Sequence, residues 1–158
     1  MATNLSEVAD LFLSRLSDWR LDTIYSTSGS LAFGTYVEPW LFDSIIEFSD
    51  VCDQDLTYTA SGSATEGFFT ETLSLENKVM LSQIMVLGWM AKGNQDELQL
   101  RNFVTDKDFK TFSPANNTNA RTAQYNTKRE EISQLLVNYG LRKNPWADWR
   151  NQDFIVGV

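Results

Sequence analysis

Histidine is absent from this sequence of 158 residues, which also contains only one cysteine and three prolines. Without histidine, the commonest general base and the commonest metal ligand are missing, and so are the Ser–His and Cys–His pairs of nucleophilic catalysis. Cys52 has no second cysteine for an intrachain disulfide, and the neighbouring Asp53 disfavours its thiolate form. We therefore expect a non-enzymatic protein without a catalytic site, a bound metal or a cofactor.

Recognisable ion-binding, phosphate-binding and membrane segments are also missing. Asp50, Asp53 and Asp55 lie close together, but the glycine and the distant glutamate of a calcium loop are absent, which favours a solvated turn. No glycine-rich phosphate loop is present, and the longest apolar stretch, residues 79–91, is shorter than the roughly 20 residues that a membrane span needs. The first residues do not show a secretory signal pattern, so we expect a soluble protein made in a cytoplasm.

Charge is distributed unevenly along the chain, whose net charge is −8. Residues 1–76 carry thirteen acidic and two basic side chains, whereas residues 77–158 carry eleven basic and eight acidic ones. Such a chain is poorly suited to bind nucleic acid tightly, because tight binding requires clustered Lys and Arg. The asymmetry suits head-to-tail association of identical copies, although a simple contribution to solubility explains it equally well.

Apolar spacing in the first third of the sequence predicts two helices separated by a loop. The first begins near Thr3 or Asn4 and ends between residues 16 and 19. Residues 18–36 are rich in serine and glycine and predict a loop. The second helix covers residues 38–51, with Pro39 in its first turn. Its buried stripe is predicted to consist of Leu41, Ile45 and Phe48, with Phe42 and Ile46 alongside.

The middle of the chain predicts an insertion followed by the central helix. Within residues 52–72, Leu56, Tyr58 and Ala60 alternate with polar residues, which predicts a small β-hairpin or an irregular excursion. Ser74 is the expected N-cap of the next helix, and Gly93 and Asn94 are expected to end it. Apolar side chains occupy almost every face of that helix, so it should be buried on several sides. Its core residues include Val79, Ile84, Val86 and Trp89.

Two further helices and a tail complete the prediction. A short helix is expected over residues 95–104 and a long one over residues 117–139, with Gly140 as its C-terminal cap. Together these patterns predict an all-α bundle of about four to five helices over residues 1–140, with a hairpin-like insertion at 52–72. Residues 141–158 read as an extended C-terminal arm, because their apolar side chains show no helical period. The residues predicted to dock on another molecule are Trp146, Trp149, Phe154 and Ile155.

The connector before the last long helix combines aromatic and charged residues. Phe109 and Phe112 lie three residues apart and can anchor one side of a turn, with Lys107 and Lys110 extending past them. A helix-joining corner inside a single protomer explains this pattern, and so does an interaction motif. The full set of motif residues is Asp106, Lys107, Asp108, Phe109, Lys110 and Phe112.

The order and spacing of these motifs resemble those found in the head–tail connector (neck, or adaptor) proteins of tailed bacteriophages. The likeness covers roughly residues 72–140. It rests on residues 73–76, 86–90, 106–113 with Ala115 and Asn116, and 132–139. Residues 20–38 and 52–70 look like insertions relative to compact members of that family, and the tryptophan-containing tail has no counterpart there.

The resemblance implies a structural virion protein at the head–tail junction, assembled in the cytoplasm of the bacterial host. Such adaptors are helical bundles that form a homo-oligomeric ring, typically dodecameric, beneath the portal. The ring extends the DNA channel without binding DNA specifically, and it offers a surface to the next neck or tail protein. A C-terminal segment commonly reaches into the portal, so the arm of this chain is expected to dock on the portal or on a neighbouring copy. Two alternatives stay open: a tail-completion or stopper protein of the same neck, or a non-viral helical regulator that binds a partner through its aromatic tail.

Overall fold

The computed structural model describes residues 2–16, 19–103 and 114–143 and consists mostly of helix with one small sheet. The predicted all-α bundle with a small β-insertion is confirmed. In chain order the elements are β1 (Thr3–Asn4), α1 (Leu5–Leu13), α2 (Trp19–Ser49), β2 (Tyr58–Thr59), β3 (Phe68–Phe69), α3 (Leu75–Phe103) and α4 (Pro114–Lys143). The predicted division into a helical domain and an arm stays a prediction.

Helix α1 begins at the predicted cap and ends earlier than predicted. Asn4 is its N-cap, and the Asn4 backbone N–H donates to the Glu7 carboxylate over 3.2 Å, as in a capping box. Its buried side chains are Leu5, Val8, Ala9 and Phe12. The helix stops at Leu13, where the Ser14 hydroxyl donates to the Leu11 carbonyl over 2.8 Å and competes with the helical backbone bonds.

Helix α2 shows that the predicted loop over residues 18–36 is wrong. The helix begins at Trp19 and is interrupted only at Gly29, where φ is +80°, so that Pro39 lies in its interior. Leu21, Phe33 and Val37 are buried in the core, and this burial outweighs the weak helix propensity of the serines and glycines. Local composition therefore indicated a loop where tertiary packing stabilises a helix.

Helix α3 is the centre of the core, as predicted, but it is longer than predicted. The Ser74 hydroxyl accepts a hydrogen bond from the Asn77 backbone N–H over 3.2 Å, which confirms the cap. Gly93 and Asn94 do not end the helix, and no separate helix begins at residue 95, because α3 continues to Phe103. Of the predicted core residues, Ile84 and Val86 are buried, whereas Val79 and Trp89 are half-buried. The helix packs against α1, α2 and α4.

The insertion at 52–72 forms the predicted hairpin, which acquires a third strand from the N-terminal residues. Strands β2 and β3 pair antiparallel, and β1 pairs with the other edge of β3, giving the order β1-β3-β2. Phe69 points into the core, while Phe68 points outward. The hydroxyl of Thr3 accepts a hydrogen bond from the Leu73 N–H over 2.8 Å, so the sheet holds the chain just before α3 begins.

Helix α4 starts at Pro114 and runs to Lys143, three residues into the predicted arm. Its C-terminal end lies beside the start of α3, so the two helices run antiparallel. Gly140 does not cap the helix. A side chain at this position would lie 3.5 Å from Val51, so Gly140 serves as a packing position against the chain that follows α2.

Candidate interaction site

The residues predicted to dock on a partner and those of the connector motif lie outside the described residues. This applies to the docking residues Trp146, Trp149, Phe154 and Ile155 and to the motif residues Asp106, Lys107, Asp108, Phe109, Lys110 and Phe112. Their roles stay predictions. What the structure supplies instead is the position at which α4 ends and two outward-facing helix surfaces that the sequence pattern did not reveal.

A polar cluster fixes the C-terminal end of α4 to the base of the bundle. The Tyr139 hydroxyl donates to the Asp53 carboxylate and lies 2.7 Å from Asn77 Oδ1. Lys143 Nζ lies 2.8 Å from Asp53 Oδ2. Asn77 Nδ2 in turn donates to Gln54 Oε1 over 2.7 Å. The cluster therefore joins three separate segments: the loop after α2, the first turn of α3 and the last turn of α4.

Hydrogen bonds and burial shift the pKa values of Asp53, Tyr139 and Lys143 in directions that keep each group in one protonation state at neutral pH. The hydrogen bonds from Lys143 and then from Tyr139 hold the pKa of Asp53 well below its usual range. Burial, together with the hydrogen bond to Asp53, raises the pKa of Tyr139. The hydrogen bond to Asp53 likewise raises the pKa of Lys143. At neutral pH the cluster thus contains a carboxylate, a neutral phenol and an ammonium group, the combination that its hydrogen bonds require.

A second ion pair lies beside the first at the end of α4. Arg142 Nη2 lies 2.5 Å from Glu76 Oε1, and Lys143 Nζ lies 3.9 Å from the other oxygen of the same carboxylate. Arg142 is 64% exposed, and Glu76 and Lys143 are 38% and 35% exposed, so water screens these pairs and each contributes little stability by itself. Together with the Tyr139 cluster, however, they set the position of residue 143 relative to the bundle.

The acidic run Asp50, Asp53 and Asp55 is exposed in the turn that follows α2, in agreement with the predicted solvated turn. Asp53 is in addition bonded to Tyr139, Asn77 and Lys143. Sequence spacing gave no signal for this contact, because Asp53 and Tyr139 are separated by 86 positions. Burial raises the pKa of the adjacent Cys52 thiol, and the nearby Asp53 charge acts in the same direction.

The outward surface of α2 exposes apolar side chains between acidic ones. Phe42 is 41% exposed and Ile46 is 71% exposed, so their predicted place in the buried stripe is wrong. Leu41 and Phe48 are buried as predicted, Ser44 is buried beside them, and Ile45 is half-buried. We call the exposed set the α2 face, and its members are Phe42, Asp43, Ile46, Glu47 and Asp50.

The outward surface of α4 exposes a second apolar pair. Val137 is 60% exposed and Leu141 is 56% exposed, whereas Ile132 and Tyr139 on the same helix are fully buried. Helical geometry places Val137 and Leu141 one turn apart on the side that faces away from the core. We call this pair the α4 face. Periodicity in the sequence indicates the buried side of a helix and gives no signal for isolated apolar residues on the opposite side.

Within residues 2–16, 19–103 and 114–143, no group of three or more His, Cys, Asp or Glu side chains is arranged to hold a metal ion. In the same part of the chain, no helix combines the length and apolar character needed to cross a membrane. Comparison with protein-family models, with curated proteins and with solved structures finds no match for this chain.

Proposed function

We propose that this chain is a structural adaptor of a tailed-phage neck, which forms a ring between the capsid portal and the next neck or tail component. The observation that carries the proposal is the ordered set of motifs over residues 72–140 that resembles this protein family. In this role the protein extends the channel through which DNA passes, and it catalyses no reaction. Its partners are further copies of itself, the portal protein and the next component of the neck.

The described fold supports an assembling role in two ways. Its core is one continuous cluster of buried side chains around α3, and such close packing suits a protein whose task is to hold a fixed geometry. Large apolar side chains remain exposed on the α2 face and the α4 face. Adaptors are helical whereas stopper and tail-completion proteins are usually richer in β-structure, so the small size of the sheet favours the adaptor over the stopper.

The distribution of charge also supports passage of DNA without tight binding. No basic residue occurs between Arg20 and Lys78, a segment that contains all of α2 after its second residue and the whole hairpin. A surface with this composition repels phosphate groups and so does not retain a nucleic acid that must move past it.

Electron microscopy of the purified protein, alone and mixed with its portal protein, tests the proposal. We expect a ring of this protein stacked on the portal. A protein that stays monomeric over a wide concentration range and does not bind the portal contradicts the proposal, and monomeric behaviour with tight binding to a host protein supports the regulator instead.

A chain that ends at Lys143 tests the contribution of the predicted arm. It retains Arg142 and Lys143, whose ion pairs hold α4 to the bundle, so we expect an unchanged helical circular dichroism spectrum. It lacks Trp146, Trp149, Phe154 and Ile155, so we expect attachment to the portal to be lost. If the truncated protein still attaches, the docking role of residues 144–158 is wrong, while the ring itself is judged separately by microscopy.

A further inference from the structure

We propose that residues 19–28 of helix α2 form a hinged segment, which swings about Gly29 between the kinked form of the structure and a straight form. In the kinked form, Leu21 and Ile24 pack on the core. In the straight form, α2 is one continuous helix and these two side chains face away from the bundle. The motion takes place within one chain and goes beyond the proposed role as an adaptor.

The backbone at Gly29 breaks α2 in a conformation that glycine alone adopts readily. Its φ is +80° and its ψ is 168°, so the helical hydrogen bonds are interrupted at this residue. A Cβ atom added to Gly29 would meet no atom within 4 Å. The space beside Gly29 is therefore open, and its two backbone dihedrals can rotate without a local clash.

The buried side chains of the two halves of α2 are out of phase with each other. An α-helix has about 3.6 residues per turn, so on a straight helix Leu21 lies about 160° around the axis from both Val37 and Leu41. By the same count, Ile24 lies about 180° from Phe33. All of these side chains nevertheless pack on the core. They share one core because the axis of α2 is broken at Gly29, and straightening would turn Leu21 and Ile24 outward.

The described side chains of residues 19–28 offer a small attachment to the core. Leu21 is buried, Ile24 is half-buried, and Tyr25 is 41% exposed. The Tyr25 ring meets the Phe33 ring edge-on with 5.4 Å between centroids. Residues eight apart are separated by about 12 Å along a straight helix, so it is the kink that brings these rings together.

The second half of α2 is attached much more strongly. Its fully or nearly fully buried apolar side chains are Phe33, Val37, Trp40, Leu41 and Phe48. Regions with few buried contacts open at a lower free energy than the rest of a protein. The hinged segment should therefore leave the core while residues 30–49 stay in place.

Each of the two forms has its own source of stability. The kinked form buries Leu21 and Ile24, whereas the straight form regains the helical hydrogen bonds across Gly29. An element with two such arrangements switches between them instead of bending by degrees. A molecule that covers Leu21 and Ile24 in the straight form would shift the equilibrium towards that form.

Labelling of a thiol at position 21 with N-ethylmaleimide measures how often the segment swings out. All variants carry Cys52→Ser, which removes the one natural thiol. We expect the Leu21→Cys thiol to react at least about a hundredfold faster than a Leu41→Cys thiol, which lies in the half of α2 that stays in place. Circular dichroism checks each variant, and Ile24→Cys serves as the reporter if Leu21→Cys does not fold.

Replacing Gly29 by alanine should increase the labelling rate at position 21 by about fivefold or more. Alanine is strained at a φ of +80° and is favoured over glycine within a continuous helix, so both effects act against the kinked form. Gly93→Ala is the matched control, because Gly93 lies inside α3 and a Cβ added there also meets no atom within 4 Å. We expect this control to leave the labelling rate unchanged.

Hydrogen exchange distinguishes a swing of the intact helix from local unfolding. In the straight form the backbone N–H groups of residues 24–28 keep their helical hydrogen bonds, since they lie beyond the first four residues of the helix. We expect their opening constant to be at least about tenfold smaller than the one obtained from labelling of Leu21→Cys.

Three results would overturn the inference. Equal labelling of the Leu21→Cys and Leu41→Cys thiols shows that both react only on global unfolding. Fast labelling at position 21 that Gly29→Ala leaves unchanged shows fraying of the helix start and removes Gly29 as the hinge. Amides of residues 24–28 that open as often as the thiol shows local unfolding in place of a straight form. None of these results bears on the adaptor ring, which is judged by microscopy.

Discussion

Replacing Tyr139 by phenylalanine isolates the hydroxyl that joins α4 to the base of the bundle. The change removes one oxygen and keeps the aromatic ring, whose centroid lies 5.1 Å from that of Phe48. The lost contacts are the hydrogen bond to the Asp53 carboxylate, the 2.7 Å contact with Asn77 Oδ1 and the 3.4 Å hydrogen bond accepted from the Asp53 backbone N–H. Packing should therefore stay almost unchanged while the polar cluster loses its central member.

The expected cost follows from the kind of hydrogen bond that is lost. A hydrogen bond to a charged acceptor contributes about 1.5–3 kcal/mol to the free energy of unfolding. The Asp53 side chain is 36% exposed, so water can replace part of the interaction and the lower half of the range applies. Asn77 keeps its bond to Gln54 over 2.7 Å. We expect Tyr139→Phe to lower the free energy of unfolding at neutral pH by about 1.5–2 kcal/mol.

The pH dependence of this cost provides an independent check. The folded-state pKa of Asp53 is lowered, first by Lys143 and then by Tyr139, so Asp53 stabilises the fold above its unfolded pKa of about 4. That contribution is lost as the pH falls through the unfolded value towards the folded one. Since Tyr139→Phe removes part of the shift, the stability difference between the two proteins should narrow progressively below about pH 4.

Urea unfolding followed by circular dichroism, repeated between neutral and acidic pH, measures both quantities. Tyr125→Phe is the matched control, because it removes a hydroxyl from a half-buried tyrosine four turns earlier in the same helix. We expect it to change the free energy of unfolding by less than about 0.5 kcal/mol. Equal stability of Tyr139→Phe and the parent chain, or a difference that stays constant with pH, would refute the reasoning about the cluster.

Two further predictions concern the sheet and the interruption of α2. Phe69→Ala should destabilise the protein by about 3–5 kcal/mol, because it empties a fully buried site. Phe68→Ala should cost less than about 1 kcal/mol in the same urea experiment, because Phe68 points outward. Equal costs would contradict the assignment of the two sides of β3. Gly29→Ala should lower the free energy of unfolding by about 1 kcal/mol through backbone strain alone, since φ is +80° and no atom lies within 4 Å of the added methyl group. A thermal melting temperature equal to that of the parent chain would show that this position is not held in the left-handed region.

Much of the fold could be predicted because periodicity and capping are local signals. The capped start of α1, the cap at Ser74 and the burial of α3 on several sides followed from neighbouring residues. Residues 18–36 could not be predicted in the same way. Their serines and glycines disfavour a helix locally, and only burial of side chains such as Phe33 and Val37 against other elements compensates.

The candidate site was less accessible to sequence reasoning than the fold. Contact between Asp53 and Tyr139 depends on the packing of three distant segments, which no spacing rule encodes. Phe42 and Ile46 were assigned to the buried stripe because they neighbour Leu41 and Ile45 in sequence. Only the orientation of α2 against α3 decides which of these adjacent side chains is covered. The docking role of residues 146–155 and the role of residues 106–112 stay predictions.

The burial of α3 on several sides has a consequence for the nascent chain. Residues 75–91 are translated before any of α4, which is the element that covers one side of them. At roughly 5–20 residues per second, several seconds pass before residues 125–143 follow. During that interval this apolar segment lacks one of the helices that cover it, so chaperones that bind apolar segments have time to hold it.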